Sequence, residues 1–182
     1  MNALQRGRFA ALAGTTTAKR MSLANSGGIA LGKQYAFDLT RPGLALYGGI
    51  PRPELSDLIL QVVRPEAQLL QRRRVPTGES VGYNAQWSAP VDTYVGIVNL
   101  GYADGYWRGF SNAGTASSVA GDDQPVLGRV SMDLVAIALA GDEVEGDWVS
   151  FDYRLPAAAA ASGMSQYELL TGLGGRFVRM WN

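Results

Sequence analysis

The 182-residue chain has no cysteine and no histidine. The first absence excludes disulfides, thiolate nucleophiles and cysteine-ligated zinc. The second removes the one side chain that ordinarily titrates near neutral pH. Proton transfer at that pH must therefore come from a carboxyl, a lysine or a tyrosine with a shifted pKa, or from a group on another chain. A metal would have oxygen ligands alone, and no calcium-loop spacing is present. Net charge is missing as well, since 16 Lys and Arg balance 16 Asp and Glu. Without an electrostatic footprint for nucleic acid or an anionic membrane, a small molecule or a protein is the expected partner. No run of about 20 apolar residues exists, so no membrane span is expected, and residues 9–12 are too short for a signal-peptide core. Cytoplasmic residence is the default.

What is present suits a globular protein: 47% hydrophobic and 18% charged residues, at a length that allows one large domain or one domain plus a piece of another. The stretch 78–108 stands out. Tyr83 follows Gly82, a flexible backbone position. Tyr102 and Tyr106 flank Ala103-Asp104-Gly105, a turn signal directly after an apolar strand, where functional side chains are often presented. These tyrosines also suit the packing of a β-rich core.

In chain order, residues 8–20 read as a short amphipathic helix weakened by Gly14 and three threonines. Strands are expected at 21–24 and 35–39. Between them, Asn25-Ser26-Gly27-Gly28 precedes a helix start, where a hydroxyl and glycine amides suit either a phosphate or a plain helix cap. Arg41 is held extended by Pro42, and Gly43 permits close approach to a ligand; a surface turn accounts for the same residues. Residues 50–57 read as a linker. Beyond it, 58–63, 67–74, 94–100, 125–139 and 148–153 alternate or run apolar between turn clusters, the pattern of an antiparallel barrel or sandwich. Residues 156–164 make a short helix after a proline, Ser165 and Glu168 form a capping box opening another, and 176–181 close the chain as a strand.

Six blocks in order carry a resemblance. They are Ser22-Leu23-Ala24-Asn25-Ser26, Arg41-Pro42-Gly43-Leu44-Ala45-Leu46-Tyr47-Gly48, Val81-Gly82-Tyr83 with Trp87, Gly101-Tyr102-Ala103-Asp104-Gly105-Tyr106, Gly128-Arg129-Val130-Ser131-Met132-Asp133 and Tyr167-Glu168-Leu169. The sequence resembles the pyridoxal-phosphate-dependent, fold-type III alanine racemases. The resemblance implies a mainly β chain with a few helices. Residues 1–50 would be a remnant, the last strands, of a (β/α)8 barrel that in its usual form takes about 250 residues. Residues 51–182 would be the C-terminal, β-barrel-like domain.

The resemblance also implies roles. Ser26, Gly43 and Leu44 resemble phosphate-binding positions, and Arg41 the arginine that donates to the pyridine nitrogen, where its charge disfavours ring protonation. Tyr83 matches the catalytic tyrosine, which exchanges the α-proton of alanine on one face while a cofactor-bearing lysine serves the other. A phenol titrates at about pH 10 in water, so its anion needs cationic or hydrogen-bonding neighbours. The family supplies some of these from a histidine, which this chain lacks. Met132 resembles the residue whose backbone meets the substrate carboxylate, and Tyr102, Arg108 and Arg129 resemble residues of the access channel, with Asp133 beside them. Neither Lys19 nor Lys33 stands in the family's lysine motif, and Gly175 takes the place of a phosphate-contacting tyrosine of some relatives. The implied partners are alanine and either a second copy in a homodimer or a barrel-bearing chain. The chain alone is expected to be inactive and to leave an apolar surface open before residue 50, or to have that segment disordered. A noncatalytic interaction or dimerisation module, and a racemase of broader substrate range, remain the alternatives.

Overall fold

Segments of the second half that alternate or run apolar between turn clusters form antiparallel strands. In the computed structural model, which describes residues 1–118 and 120–181, the chain divides into two units, Met1–Val62 and Val63–Asn182.

The first unit holds helix α1 (Asn2–Ala13) and one helical turn, α2 (Ser26–Ile29). The helix expected at 8–20 lies earlier. It ends at Gly14 because the Thr15 and Thr16 hydroxyls donate to the Leu12 and Ala13 carbonyls and so compete with further helix. The strands expected at 21–24, 35–39 and 58–63 are not formed. Among the described residues of this unit the only strand-like pairing is one parallel bridge, Asn25 to Arg41, and a strand without a ladder leaves its backbone polar groups to turns. Residues 35–39 instead turn through Phe37, at φ 51°, whose ring packs edge-on against Phe9 of α1 at 4.9 Å. Residues 58 and 59 close a turn on the Leu55 carbonyl, and Leu58, Leu60 and Val62 are exposed.

The second unit is mainly β. Its strands are β1 (Glu66–Val75), β2 (Ser80–Val81), β3 (Trp87–Ser88), β4 (Thr93–Val98), β5 (Thr115–Ser117), β6 (Asp123–Leu127), β7 (Val135–Ala138) and β8 (Trp148–Phe151). Six of them close an antiparallel barrel in the order β1-β4-β7-β6-β5-β8, and β2 and β3 form a separate hairpin. Closure depends on β1. Its first residues, Glu66 to Gln68, pair with β8, and its remainder pairs with β4 after a register shift between Leu69 and Gln71. Such an irregularity bends a strand and lets it serve both sides of a barrel. The expected single run at 125–139 is two strands, β6 and β7, because Gly128 turns the chain at φ 67° and Ser131 bonds Leu134 in both directions.

Inward positions of the barrel strands fill the core: Leu69, Val75, Val95, Val98, Ala116, Val126, Ile137, Val149 and Phe151 are all buried. Burying each large apolar side chain contributes about 1.5–3 kcal/mol. An aromatic cluster extends this core and anchors the segment after β4. Tyr106 stacks on Phe110 at 4.3 Å and meets Phe151 edge-on at 4.9 Å. Helices α3 (Leu155–Ser162) and α4 (Gln166–Gly172) follow. The capping box forms at α4, where Ser165 Oγ accepts from the Glu168 amide and the Glu168 carboxylate accepts from the Ser165 amide. The buried Tyr153 hydroxyl donates to the Leu169 carbonyl of α4 at 3.1 Å. Residues 176–181 do not form the expected strand. They run without regular structure, tied by arginine side chains rather than by a ladder.

Candidate active site

In the first unit, Ser26, Arg41, Gly43 and Leu44 come together because the parallel bridge sets residues 24–26 beside 41–45. The Arg41 amide donates to the Ala24 carbonyl at 2.8 Å. Ser26 is 2% exposed, and its hydroxyl accepts from the amides of Gly43 (2.9 Å) and Ala45 (3.2 Å). Asn25, not Ser26, caps α2, accepting from the Gly28 amide. Arg41 is oriented by the Ser22 carbonyl (2.9 Å), the Ser22 hydroxyl (2.6 Å) and the Leu23 carbonyl (3.3 Å). These bonds use its two terminal nitrogens, and its Nε–H has no partner among the described residues.

In the second unit, Tyr83 sits at the tip of the β2–β3 hairpin and is 69% exposed. The tip takes an unusual path, with left-handed φ at Gly82 (79°), Asn84 (64°) and Ala85 (46°). Only glycine adopts such angles without cost, so residue 82 is glycine for a steric reason. The hairpin is braced from below. A Cβ at Gly82 would lie 3.8 Å from the Arg129 amide, and one at Gly128 would lie 2.9 Å from the Val81 carbonyl. Asn112, itself at φ 55°, accepts from the Gly128 amide at 2.6 Å and donates to the Gln86 carbonyl at 3.4 Å. Ser111 accepts from the Val130 amide at 3.1 Å and donates to the Arg108 carbonyl at 2.6 Å.

The same chain of contacts reaches the other predicted positions. The Arg108 guanidinium lies 4.5 Å above the Tyr102 ring. The amides of Tyr102 and Ala103 donate to the carbonyls of Ser131 and Met132, both at 3.0 Å. Met132 is 53% exposed, and its own amide N–H has no partner among the described residues. Tyr83, Tyr102, Arg108, Arg129 and Met132 thus belong to adjoining loops, with an exposed phenol, two arginines and an unpaired backbone donor.

Comparison with known proteins decides the family. The sequence model described as "Alanine racemase, C-terminal domain" matches residues 62–181, and "Alanine racemase, N-terminal domain" matches residues 1–51. The chain belongs to the alanine racemase family. It is 40% identical over 188 residues to the alanine racemase of Rhodospirillum rubrum, covering 100% of this chain and 50% of that protein. It is 40% identical to the protein described as "Alanine racemase, catabolic" of Agrobacterium fabrum, covering 87% of this chain and 42% of that one. Among solved structures, alanine racemase from Bartonella henselae with covalently bound pyridoxal phosphate matches with a TM-score of 0.84 at 34% identity, over 98% of this chain and 51% of that one. The Streptomyces coelicolor enzyme matches with a TM-score of 0.87 at 31% identity, over 96% and 50%. The chain spans about half the length of the alanine racemases it matches.

Against pyridoxal phosphate, the residues of this chain fit in part. A hydroxyl that accepts two amides still has a proton to donate to an acceptor such as a phosphate oxygen, and the Arg41 Nε–H points from a fixed guanidinium. Covalent attachment does not fit, because the only lysines, Lys19 and Lys33, are exposed and lie outside the Ser26–Arg41 cluster. Around Gly175 an added Cβ would meet nothing within 4 Å.

Reading the sequence missed several supporting residues. Ser111 and Asn112 carry only the ordinary turn signal of a Ser-Asn pair. Asp104 appears in sequence as part of a turn, yet it is buried and accepts from the Gly101 amide at 2.9 Å. Arg176 reaches both Asp104 (3.1 Å) and Asp133 (2.7 Å). The hydrogen bond to Asp133, followed by the charge of Asp104, raises the Arg176 pKa above its ordinary value. Tyr106 is distinct from its neighbour Tyr102: burial, then the adjoining Tyr153 and Asp152, push its phenol upward and leave it a packing residue.

Proposed function

We propose that this chain is the C-terminal portion of a pyridoxal-phosphate-dependent alanine racemase that interconverts L- and D-alanine by two-base proton transfer. The single observation that carries the reading is the display of the Tyr83 phenol on a braced hairpin tip, in loops adjoining the Met132 amide. Bound pyridoxal phosphate would supply an electron-withdrawing ring that acidifies the α-carbon of the amino acid. The Ser26 hydroxyl, set by the Gly43 amide with Leu44 beside it, would hold its phosphate, and Arg41 would donate toward its ring nitrogen. Tyr83 Oη would give or take the α-proton on one face, and a lysine outside this sequence would serve the other. The Met132 N–H would bind the substrate carboxylate, while Arg108 and Arg129 draw that anion in and Tyr102 shapes its path. Homodimerisation, cytoplasmic residence and supply of D-alanine for cell-wall precursors belong to the same reading and rest on the family alone.

The chain by itself would neither bind the cofactor covalently nor racemise alanine. The test is a coupled D-alanine assay with an absorbance scan for lysine-bound cofactor. It compares the chain alone with the chain supplied with the preceding half of the Rhodospirillum rubrum enzyme. Turnover is expected only in the second case, and Tyr83→Phe should reduce it by about 10²–10⁴, the usual worth of a positioned acid or base. Turnover by the chain alone, or complemented turnover indifferent to Tyr83→Phe, refutes the proposal.

A further inference from the structure

We infer that Arg176 is a positioning residue that fixes the orientation of the Met132 amide. The inference rests on reading Met132 as the contact for the substrate carboxylate. It starts from Asp104, a residue 6% exposed. A carboxylate this buried requires partners on its oxygens. Oδ2 accepts from the Gly101 amide at 2.9 Å, and Oδ1 faces Arg176 Nε at 3.1 Å. The guanidinium does not stop there, because its Nη1 donates to Asp133 Oδ1 at 2.7 Å. One planar group therefore joins the turn that carries Tyr102 to the turn that carries Met132. A lysine, with a single point charge on a flexible stem, cannot reproduce a two-ended clamp of this kind.

What the clamp controls follows from peptide geometry. The Ser131 carbonyl accepts from the Tyr102 amide and the Met132 carbonyl accepts from the Ala103 amide. In a trans peptide the N–H points opposite to the C=O of the same unit. Fixing the Ser131 carbonyl toward the Tyr102 turn therefore directs the Met132 N–H away from that turn. Fixing the Met132 carbonyl does the same for the Asp133 N–H. Neither N–H has a partner among the described residues, so the aimed donors remain available to an anion. Separation of the two turns would release both carbonyls and let both peptide planes rotate, and Arg176 holds the turns together from the C-terminal segment.

The test uses the full chain and nuclear magnetic resonance. Amide exchange is followed at Tyr102 and Ala103, with Val95 and Val98 of β4 as reference, and acetate serves as the carboxylate probe at the Met132 and Asp133 amides. Arg176→Gln should speed exchange at Tyr102 and Ala103 by roughly tenfold or more through local opening, with the reference amides unchanged. It should also weaken the acetate response several-fold. Arg176→Lys should restore only part of both effects. Asp133→Asn, a change at an exposed position, should move Tyr102 and Ala103 in the same direction as Arg176→Gln. Unchanged exchange at Tyr102 and Ala103, or equal acceleration at the reference amides, overturns the clamp. An acetate response absent from the unaltered chain, with the local exchange effect still present, instead overturns the carboxylate role assigned to Met132 and the purpose given to the clamp.

Discussion

Replacing Gly101 with alanine probes the junction of the two loops directly. Gly101 adopts φ −158° and ψ −171°, extended backbone that alanine adopts without strain. Considered alone, the change would stabilise the chain by about 0.4–1 kcal/mol, because alanine has fewer unfolded conformations to lose. Space decides otherwise. The added Cβ would overlap the Met132 carbonyl and lie 2.5 Å from the Asp133 amide nitrogen, and both obstacles are backbone. No flexible side-chain end is available to yield. Relieving the overlap must part the Tyr102–Asp104 turn from residues 131–133, at an overpacking cost of about 1–3 kcal/mol. The two 3.0 Å bonds to Ser131 and Met132 would lengthen as well, each contributing about 0.5–1.5 kcal/mol. The net loss is about 3 kcal/mol, which for a chain of this length lowers the melting temperature by roughly 6–12 °C. Calorimetry of Gly101→Ala beside Gly175→Ala, where an added Cβ meets nothing within 4 Å, isolates the effect. A Gly101→Ala chain as stable as its parent, with the Tyr102 and Ala103 amides still protected, would refute the close approach of these loops.

Three further outcomes follow from the barrel and its helices. Phe151→Ala, at a position 1% exposed and packed on Tyr106, should cost about 3–5 kcal/mol, measured by urea unfolding. Tyr153→Phe removes the bond of a buried hydroxyl to the Leu169 carbonyl and should cost about 1–3 kcal/mol without altering the fold by circular dichroism. Asp152 is held below its ordinary pKa first by its hydrogen bond from Arg154. A carboxyl depressed on folding contributes stability that is fully present above its unfolded pKa, about 3.9, and that disappears as pH falls through the folded value. Arg154 is exposed, so the gain should be under about 1 kcal/mol. Urea midpoints of Arg154→Gln and the parent should differ at pH 6 and converge in acid below the folded value; a constant difference would show that the pair does not carry the effect.

The barrel was legible because period-two alternation survives at the start of β1 and along β8, while β4 is a short apolar run between turn clusters, and the capping box at Ser165 and Glu168 specifies α4 by local chemistry. The strands expected near residues 21, 35 and 58 failed for the complementary reason. Alternation signals a strand only when another strand completes its ladder, and the first unit contains a single bridge. Along the site, Tyr83 and Tyr102 were visible from neighbouring glycines, whereas Asn112 and Arg176 were not. Their partners lie 16 to 72 residues away in the chain, as with Asn112 and Gly128 or Arg176 and Asp104, and no local spacing encodes such bonds. The choice between barrel and sandwich also depended on a non-local event, the register shift that lets β1 pair with both β4 and β8.

The second unit braces the Tyr83 hairpin with its own residues. Asn84 and Ala85 occupy left-handed backbone, which for residues with a Cβ costs about 1–2 kcal/mol each. Such angles persist only where surrounding structure over-determines them. Here the surroundings are identifiable: the Val81–Trp87 pair closes the hairpin, Gly128 lies under the Val81 carbonyl, and Asn112 holds the Gln86 carbonyl. All of these belong to the unit whose closed barrel and aromatic cluster stabilise them. The backbone that carries the phenol is therefore ordered when the barrel folds, and under the proposed mechanism a carrier ordered in advance favours proton transfer. Under the proposed mechanism, separation from a lysine-bearing barrel removes one base and leaves the other poised. Supplying that barrel in trans should then restore turnover with no refolding of the second unit.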